Sequence, residues 1–183
     1  MNIETQRLLL RPLREADFED VEQHLSDPAI CRMLGLEHCD QESVRMEMFE
    51  HLRTRETLGL EFRQSGSVIG HATAAPLHPL LAQDEFLRSL GRGVSLSFVL
   101  SPAFQRQGLM TEALEAMIPS LFAQGLDFIN CGYFSFNRAS AALQEKLGFR
   151  YYSTHPVHRN GEEIETIECL LLRSEYIARK HGT

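Results

Sequence analysis

The sequence predicts a mixed α/β fold, a single domain in which short strands alternate with helices. Three observations carry that reading. The stretch Leu96 to Ala113 opens as an apolar, strand-like run and is stopped by Ser101-Pro102; from Gly108 its apolar spacing turns helical through Leu109, Ala113, Ala116 and Met117. Further on, Asn137 to Gly148 reads as a capped helix set between two strand-like runs. Near the end, Asn160-Gly161 joins two such runs as a tight hairpin turn.

In chain order, Arg7 to Arg11 is a short strand closed by Pro12. Glu15 to Leu25 places Phe18, Val21 and Leu25 at helical spacing and ends at Ser26-Asp27-Pro28. A second helix is expected over Glu42 to Thr54, burying Val44, Met48, Phe49 and Leu52. Leu58 to Arg63 and Val68 to Ala75 form a strand pair around the turn Gln64-Ser65-Gly66-Ser67. The long connection Leu77 to Arg92 is expected to be partly helical, with Leu80, Leu81, Phe86, Leu87 and Leu90 on one face and Asp84 and Glu85 opposite. Gly125 stops the central helix, and Leu126 to Phe134 is the next strand. After the Asn137 helix, Phe149 to His155 and Glu163 to Leu172 complete the fold. No repeat, linker or low-complexity tract interrupts the chain.

Composition narrows the function classes. The 183 residues suffice for a core without disulfide or metal support, and 43% hydrophobic with 23% charged residues are ordinary globular values. A net charge of −7, from 18 Lys+Arg against 25 Asp+Glu, weighs against broad nucleic-acid or membrane binding, which needs a basic face. The four cysteines, at 31, 39, 131 and 169, show no C-x-x-C spacing, so neither a zinc site nor a disulfide framework is expected. The eight histidines have no metal-ligand spacing, and no metal is expected. Neither a signal-peptide core nor a membrane-length apolar run is seen, so a reduced, cytoplasmic protein is expected. Glu162, Glu163, Glu165 and Glu168 read mostly as a solvated face of the last hairpin.

Strand, glycine-bearing loop and helix is the arrangement that aims backbone N–H groups and a helix N-terminus at an anion. Gln105, Arg106 and Gln107 add side-chain donors there. The loop lacks the second glycine and the Lys-Ser/Thr of a P-loop, and it is not G-x-G-x-x-G, so nucleotide hydrolysis and dinucleotide binding have little support. Gln105-Arg106-Gln107-Gly108-Leu109-Met110 resembles the Q/R-x-x-G-x-G/A pyrophosphate loop of the GNAT superfamily of acyl-CoA-dependent N-acyltransferases. Asn137-Arg138-Ala139-Ser140 followed by Glu145-Lys146-Leu147-Gly148-Phe149 resembles that family's N-x-x-S…K-x-G-F segment. The two ends, Arg7 to Leu13 and Leu171 to Tyr176, resemble its ribosomal-protein-alanine acetyltransferase-like branch. Two departures are Met110 in place of a small residue and Ser95 where many branch members carry an acid.

The resemblance implies one N-acetyltransferase domain over residues 1–183. Its central, mostly antiparallel sheet would have a V-shaped split holding acyl-CoA, with helices on both faces. It also implies acetyl-CoA as co-substrate and direct attack by a primary amine in a ternary complex. The pyrophosphate would take the N–H groups of Gln105, Arg106, Gln107, Gly108, Leu109, Met110 and Thr111, and the pantetheine would bond along Phe98, Val99 and Leu100. Asn137 would hold the arm, and Ser140 would donate to the departing sulfur; structurally they read as an N-cap and a first-turn residue. Candidate general bases are Glu165, Asp84 and Glu85, or ordered water. The acceptor is a protein N-terminus or a small-molecule amine, with homodimerisation open. Two rival classes are a non-catalytic acyl-CoA-binding or regulatory module and a phosphate-loop nucleotide-binding domain.

Overall fold

The computed structural model describes residues 2–35, 40, 42, 44–46, 56–159 and 161–182. Its strands are β1 (Ile3–Glu4), β2 (Leu8–Pro12), β3 (Thr57–Phe62), β4 (Val68–Ala75), β5 (Gly93–Leu100), β6 (Phe128–Phe134), β7 (Arg150–Arg159) and β8 (Glu162–Leu172). They form one eight-stranded sheet in the order β1-β2-β3-β4-β5-β6-β8-β7, mixed but mostly antiparallel. By contacts the chain divides into two compact units, Met1–Thr73 with Phe98–Met117 and Ala74–Ser97 with Ile118–Thr183.

In the first unit, a 3-10 turn at Glu15–Asp17 leads into helix α1 (Phe18–Leu25), and α2 (Pro28–Leu34) follows almost at once. The sequence reading took Ser26-Asp27-Pro28 as a stop and missed α2. The same residues also start a helix: Asp27 accepts hydrogen bonds from the N–H groups of Ala29 and Ile30, and Pro28 occupies the first turn, where no donor is needed. Leu13, Val21, Leu25, Ile30, Val44, Val68 and Val99 form this unit's core. The helix expected over Glu42 to Thr54 falls mostly outside the described residues; Glu42 and Val44 to Met46 are helical. β3 and β4 pair antiparallel around a turn in which Gly66 has φ of +76°.

Arg11, on β2, is buried and forks onto Asp17, with Nη1 to Oδ2 at 2.7 Å and Nη2 to Oδ1 at 2.8 Å. Its Nε donates to Glu61 at 2.6 Å. Burial by itself raises the Asp17 carboxyl, but the hydrogen bonds from Arg11 and the Arg14 N–H outweigh it and hold the group below its ordinary value. Cys31 is disulfide-bonded, whereas Cys131 and Cys169 are free and buried.

In the second unit, the Leu77 to Arg92 connection holds two short helices, α3 (Pro79–Ala82) and α4 (Glu85–Leu90), not one face of a single helix. Asp84 breaks it by accepting from the Leu87 N–H as the N-cap of α4. Leu81 and Leu87 are therefore buried with Phe128 and Leu170, while Leu80 and Phe86 are exposed. Residues 93–95 of β5 pair in parallel with Phe128–Asn130 of β6, and the ladder ends at Ser95 and Asn130. β6 runs on to Phe134, bonded along its other side to β8. Helix α6 (Arg138–Leu147) lies between β6 and β7 in sequence, and Gly148 closes it at φ of +95°. A terminal helix, α7 (Arg173–His181), and the short β1 had no expectation attached.

Candidate acyl-CoA and acceptor site

The loop from Gln105 to Gly108 lies wholly in the first unit and joins β5 to helix α5 (Leu109–Ala123). Ser101-Pro102 ends the strand, and a 3-10 turn at Pro102–Phe104 leads into the loop, with Phe104 edge-on to Phe62. Arg106 then adopts φ of +61°, alone among the described non-glycine residues, and Gly108 adopts +77°. A left-handed backbone at a bulky residue costs about 1 kcal/mol or more and persists only where the surroundings hold it, often at a binding site. Left-handed residues in such a turn make the N–H groups converge on an anion. The first main-chain bond of α5 runs from the Glu112 N–H to the Gly108 carbonyl. The N–H groups of Leu109, Met110 and Thr111 therefore lie in the first turn, where a helix offers no acceptor.

Side chains brace this conformation. Gln105 Nε2 donates to the Leu100 carbonyl at 2.9 Å and Gln107 Nε2 to the Ala103 carbonyl at 3.1 Å. Both glutamines were expected as anion donors; each has one amide hydrogen committed to the chain. Leu109 and Met110 are buried, and the Met110 main-chain N–H is available whatever its side chain.

A clamp missed by the sequence reading closes the loop from below. Glu112 takes hydrogen bonds from Thr5 Oγ1 at 2.6 Å, the Arg7 N–H at 2.8 Å and Arg7 Nε at 2.7 Å. Arg7 Nη1 then donates to the Gln107 carbonyl at 3.0 Å. Burial pushes the Glu112 carboxyl up, and the bonds from Thr5 and Arg7 bring it below its ordinary value. A signal was present, since Arg7 follows Thr5 and Glu112 sits one turn into α5; only the fold shows that they meet. Phe98, Val99 and Leu100 form the end of β5, where the Ser101 N–H donates to the Ile69 carbonyl at 2.8 Å. A Cβ on Gly70 would come within 2.3 Å of the Val99 carbonyl oxygen, so only glycine fits beside the strand.

The second unit holds the other candidates. Asn137 Oδ1 accepts from the Ser140 N–H at 3.1 Å, the N-cap expected of it, which leaves its NH2 group to donate elsewhere. Ser140 is buried, and its Oγ accepts from Gln144 Nε2 at 3.1 Å, so the hydroxyl proton is not used on Gln144. Glu165 is exposed on β8 opposite Pro156, its carbonyl bonded to the Ser135 N–H. Asp84 is held low by the Leu87 N–H and by Tyr152, whose phenol burial and Asp84 raise to about 12. Glu85 opens α4 beside it and is exposed. Ser95 donates to Asn130, and Asn130 to Glu168. Among the described residues, no three His, Cys, Asp or Glu side chains gather as metal ligands, and no helix is long and apolar enough to cross a membrane.

The fold is that of several solved acetyltransferases. A GNAT-family acetyltransferase from Bacillus anthracis superposes with a TM-score of 0.81 at 18% identity, covering 95% of this chain and 99% of that one. A GCN5-related N-acetyltransferase from Brucella melitensis gives 0.79 at 17% identity over 99% of this chain and 82% of its own. The ribosomal-protein-S5-alanine acetyltransferase of Vibrio fischeri gives 0.70 at 15%, with 96% and 98% covered. The sequence has no significant match among curated proteins. A family model described as an acetyltransferase (GNAT) domain matches residues 7–150, which begin at the Arg7 clamp and take in both the Gln105 loop and the Asn137 helix. The chain belongs to the GNAT family of N-acetyltransferases, acyltransferases that use acetyl-CoA.

Proposed function

We propose that this chain, as one domain over residues 1–183, transfers the acetyl group of acetyl-CoA to a primary amine by direct attack in a ternary complex. The observation that carries the reading is the clamped loop from Gln105 to Thr111, with two left-handed residues running into a fifteen-residue helix. The pyrophosphate takes the loop N–H groups, with Arg106 as the local cation and the helix dipole favouring its charge. The end of β5 at Phe98 to Leu100 offers main-chain groups to the pantetheine, and an N–H there steadies the developing oxyanion. Asn137 bonds the arm through its free NH2 group, and Ser140 donates to the sulfur as the thiolate leaves.

Two variants separate those last roles. Asn137→Ala is expected to raise the KM for acetyl-CoA and to destabilise the fold by about 1 kcal/mol through the lost cap. Ser140→Ala is expected to lower the single-turnover rate about tenfold, or ~1.4 kcal/mol, with KM little changed. A parental single-turnover rate in Ser140→Ala would return Ser140 to a purely structural place in α6.

The acceptor is a protein N-terminus or a small amine. The name of the Vibrio fischeri neighbour, an S5-alanine acetyltransferase, supports testing alanine-led peptides beside polyamines and simple alkylamines. Free thiol release from acetyl-CoA is the readout, and turnover with at least one amine is expected. Tight acetyl-CoA binding without turnover on any amine would favour a non-catalytic acyl-CoA-binding module.

A further inference from the structure

The run Ile167-Glu168-Cys169-Leu170-Leu171 carries one acid into the buried part of β8. Glu168 has only 8% of its side chain exposed, and a carboxylate is costly to bury unless charge and hydrogen bonds replace its water. Its Oε2 accepts from Asn130 Nδ2 at 2.8 Å, and its Oε1 faces His155 Nε2 at 3.8 Å. A carboxylate offers about four acceptor sites, so this one is served sparsely for its burial. Asn130 is held in turn, accepting from Ser95 Oγ at 3.1 Å and donating to the Cys169 carbonyl at 3.3 Å.

The strand opposite makes room for the carboxylate itself. Gly132 is directly opposite Glu168 on β6, and a Cβ there would come within 2.8 Å of Oε2. Both residues lie beyond Asn130, where the β5–β6 ladder has ended. Thr166, on the same face of β8 and directly opposite His155, has a buried hydroxyl oxygen with no hydrogen-bond partner. Among the described residues, the ionisable group facing Glu168 is His155 from β7, while the thiols of Cys131 and Cys169 lie on the opposite face of the sheet and feel its charge from there. Burial raises both thiols and keeps them protonated. Glu165, three residues earlier on the strand, points to the other face.

Building on the acetyltransferase reading above, we propose that His155 and Glu168 receive the acceptor's ammonium group and take the proton it must lose before attack. The free ring nitrogen of a neutral imidazole carries a lone pair that can take a proton. His155 Nε2 takes one proton from R–NH3+, and the buried Glu168 carboxylate pairs with the resulting imidazolium. The freed lone pair forms the N–C bond to the thioester carbonyl, and the C–S bond breaks with its electrons on sulfur. The second nitrogen proton ends on the thiolate, and the imidazolium releases its proton to solvent. Ser95 is thus tied through Asn130 to the acid supplied from β8. His155 is the catalytic residue of the pair, and Glu168 and Asn130 position it.

The test compares the parent chain, His155→Gln and Glu168→Gln in single turnovers at saturating acetyl-CoA. Ethylamine is largely an ammonium ion at neutral pH, and trifluoroethylamine is largely neutral. Both variants are expected to slow about a hundredfold with ethylamine and by less than about threefold with trifluoroethylamine. Acetyl-CoA affinity by calorimetry should stay at the parental value. Equal losses with both amines, or none with either, would overturn the assignment while leaving the acetyltransferase reading standing. A parent that releases no thiol with either amine would count against both. His155 is partly exposed, so His155→Gln decides the matter if Glu168→Gln fails to fold.

Discussion

Gly108→Glu is expected to lose acetyl-CoA affinity about a hundredfold while the chain stays folded. Two costs combine at this position. The residue holds φ of +77°, which any side chain adopts only with strain of about 1 kcal/mol. The new carboxylate also stands where the pyrophosphate is proposed to sit. Like charges at about 4 Å repel by ~1 kcal/mol in water and ~4 kcal/mol at a protein surface of effective dielectric near 20. A middle value added to the strain gives roughly 3 kcal/mol, or about two decades in Kd. Gly108→Ala isolates the strain, because a Cβ there meets only Arg7 Nη2 at an ordinary 3.7 Å. Calorimetry with acetyl-CoA should show at most about a tenfold loss for alanine. Parental affinity in the glutamate variant would remove the pyrophosphate from this loop.

Asp17→Ala should unfold the chain more readily by about 3–5 kcal/mol, because it leaves the buried Arg11 guanidinium with Glu61 as its one carboxylate among the described residues. The effect is on stability, since these groups lie in the strand and turn that carry α1. Its pH dependence has a definite sign. The folded-state Asp17 carboxyl lies below its ordinary 3.8, so its contribution is full above that value and is lost as pH falls through the folded-state one. Urea unfolding of the parent should therefore show stability falling as pH drops below about 4. The Asp17→Ala chain, weak already at pH 7, should show a shallower acid limb. Matching acid limbs would mean that other carboxylates dominate the response.

Much of this molecule was legible in its sequence because the informative signals are local. The Ser101-Pro102 stop, the glycine at 108, the Asn137 cap and the Gly148 and Gly125 stops each act through the backbone within a turn or two, and each appears where it was read. Hairpin pairing of β3 with β4 and of β7 with β8 followed for the same reason. The order of the four family-like segments added the fold, since four motifs at the right spacing constrain the chain more than any one of them.

Local signals failed where one residue can serve two roles. Asp27-Pro28 ends one helix and begins another, and Asp84 splits a stretch whose leucines suggested a single face. Residues that meet only across the fold were not legible at all. Arg7 reaches Glu112 and Gln107 a hundred or so positions away, and Glu168 reads as part of an acidic run until β6 and β7 enclose it. The sequence by itself determined the central strand, loop and helix, the capped Asn137 helix with its flanking strands, and the family. Tertiary structure alone decided how the Gln105 loop is clamped and which of four hairpin glutamates is buried beside a histidine. The reason is physical: backbone propensity is set by near neighbours, whereas charge pairing and burial depend on which strands lie side by side.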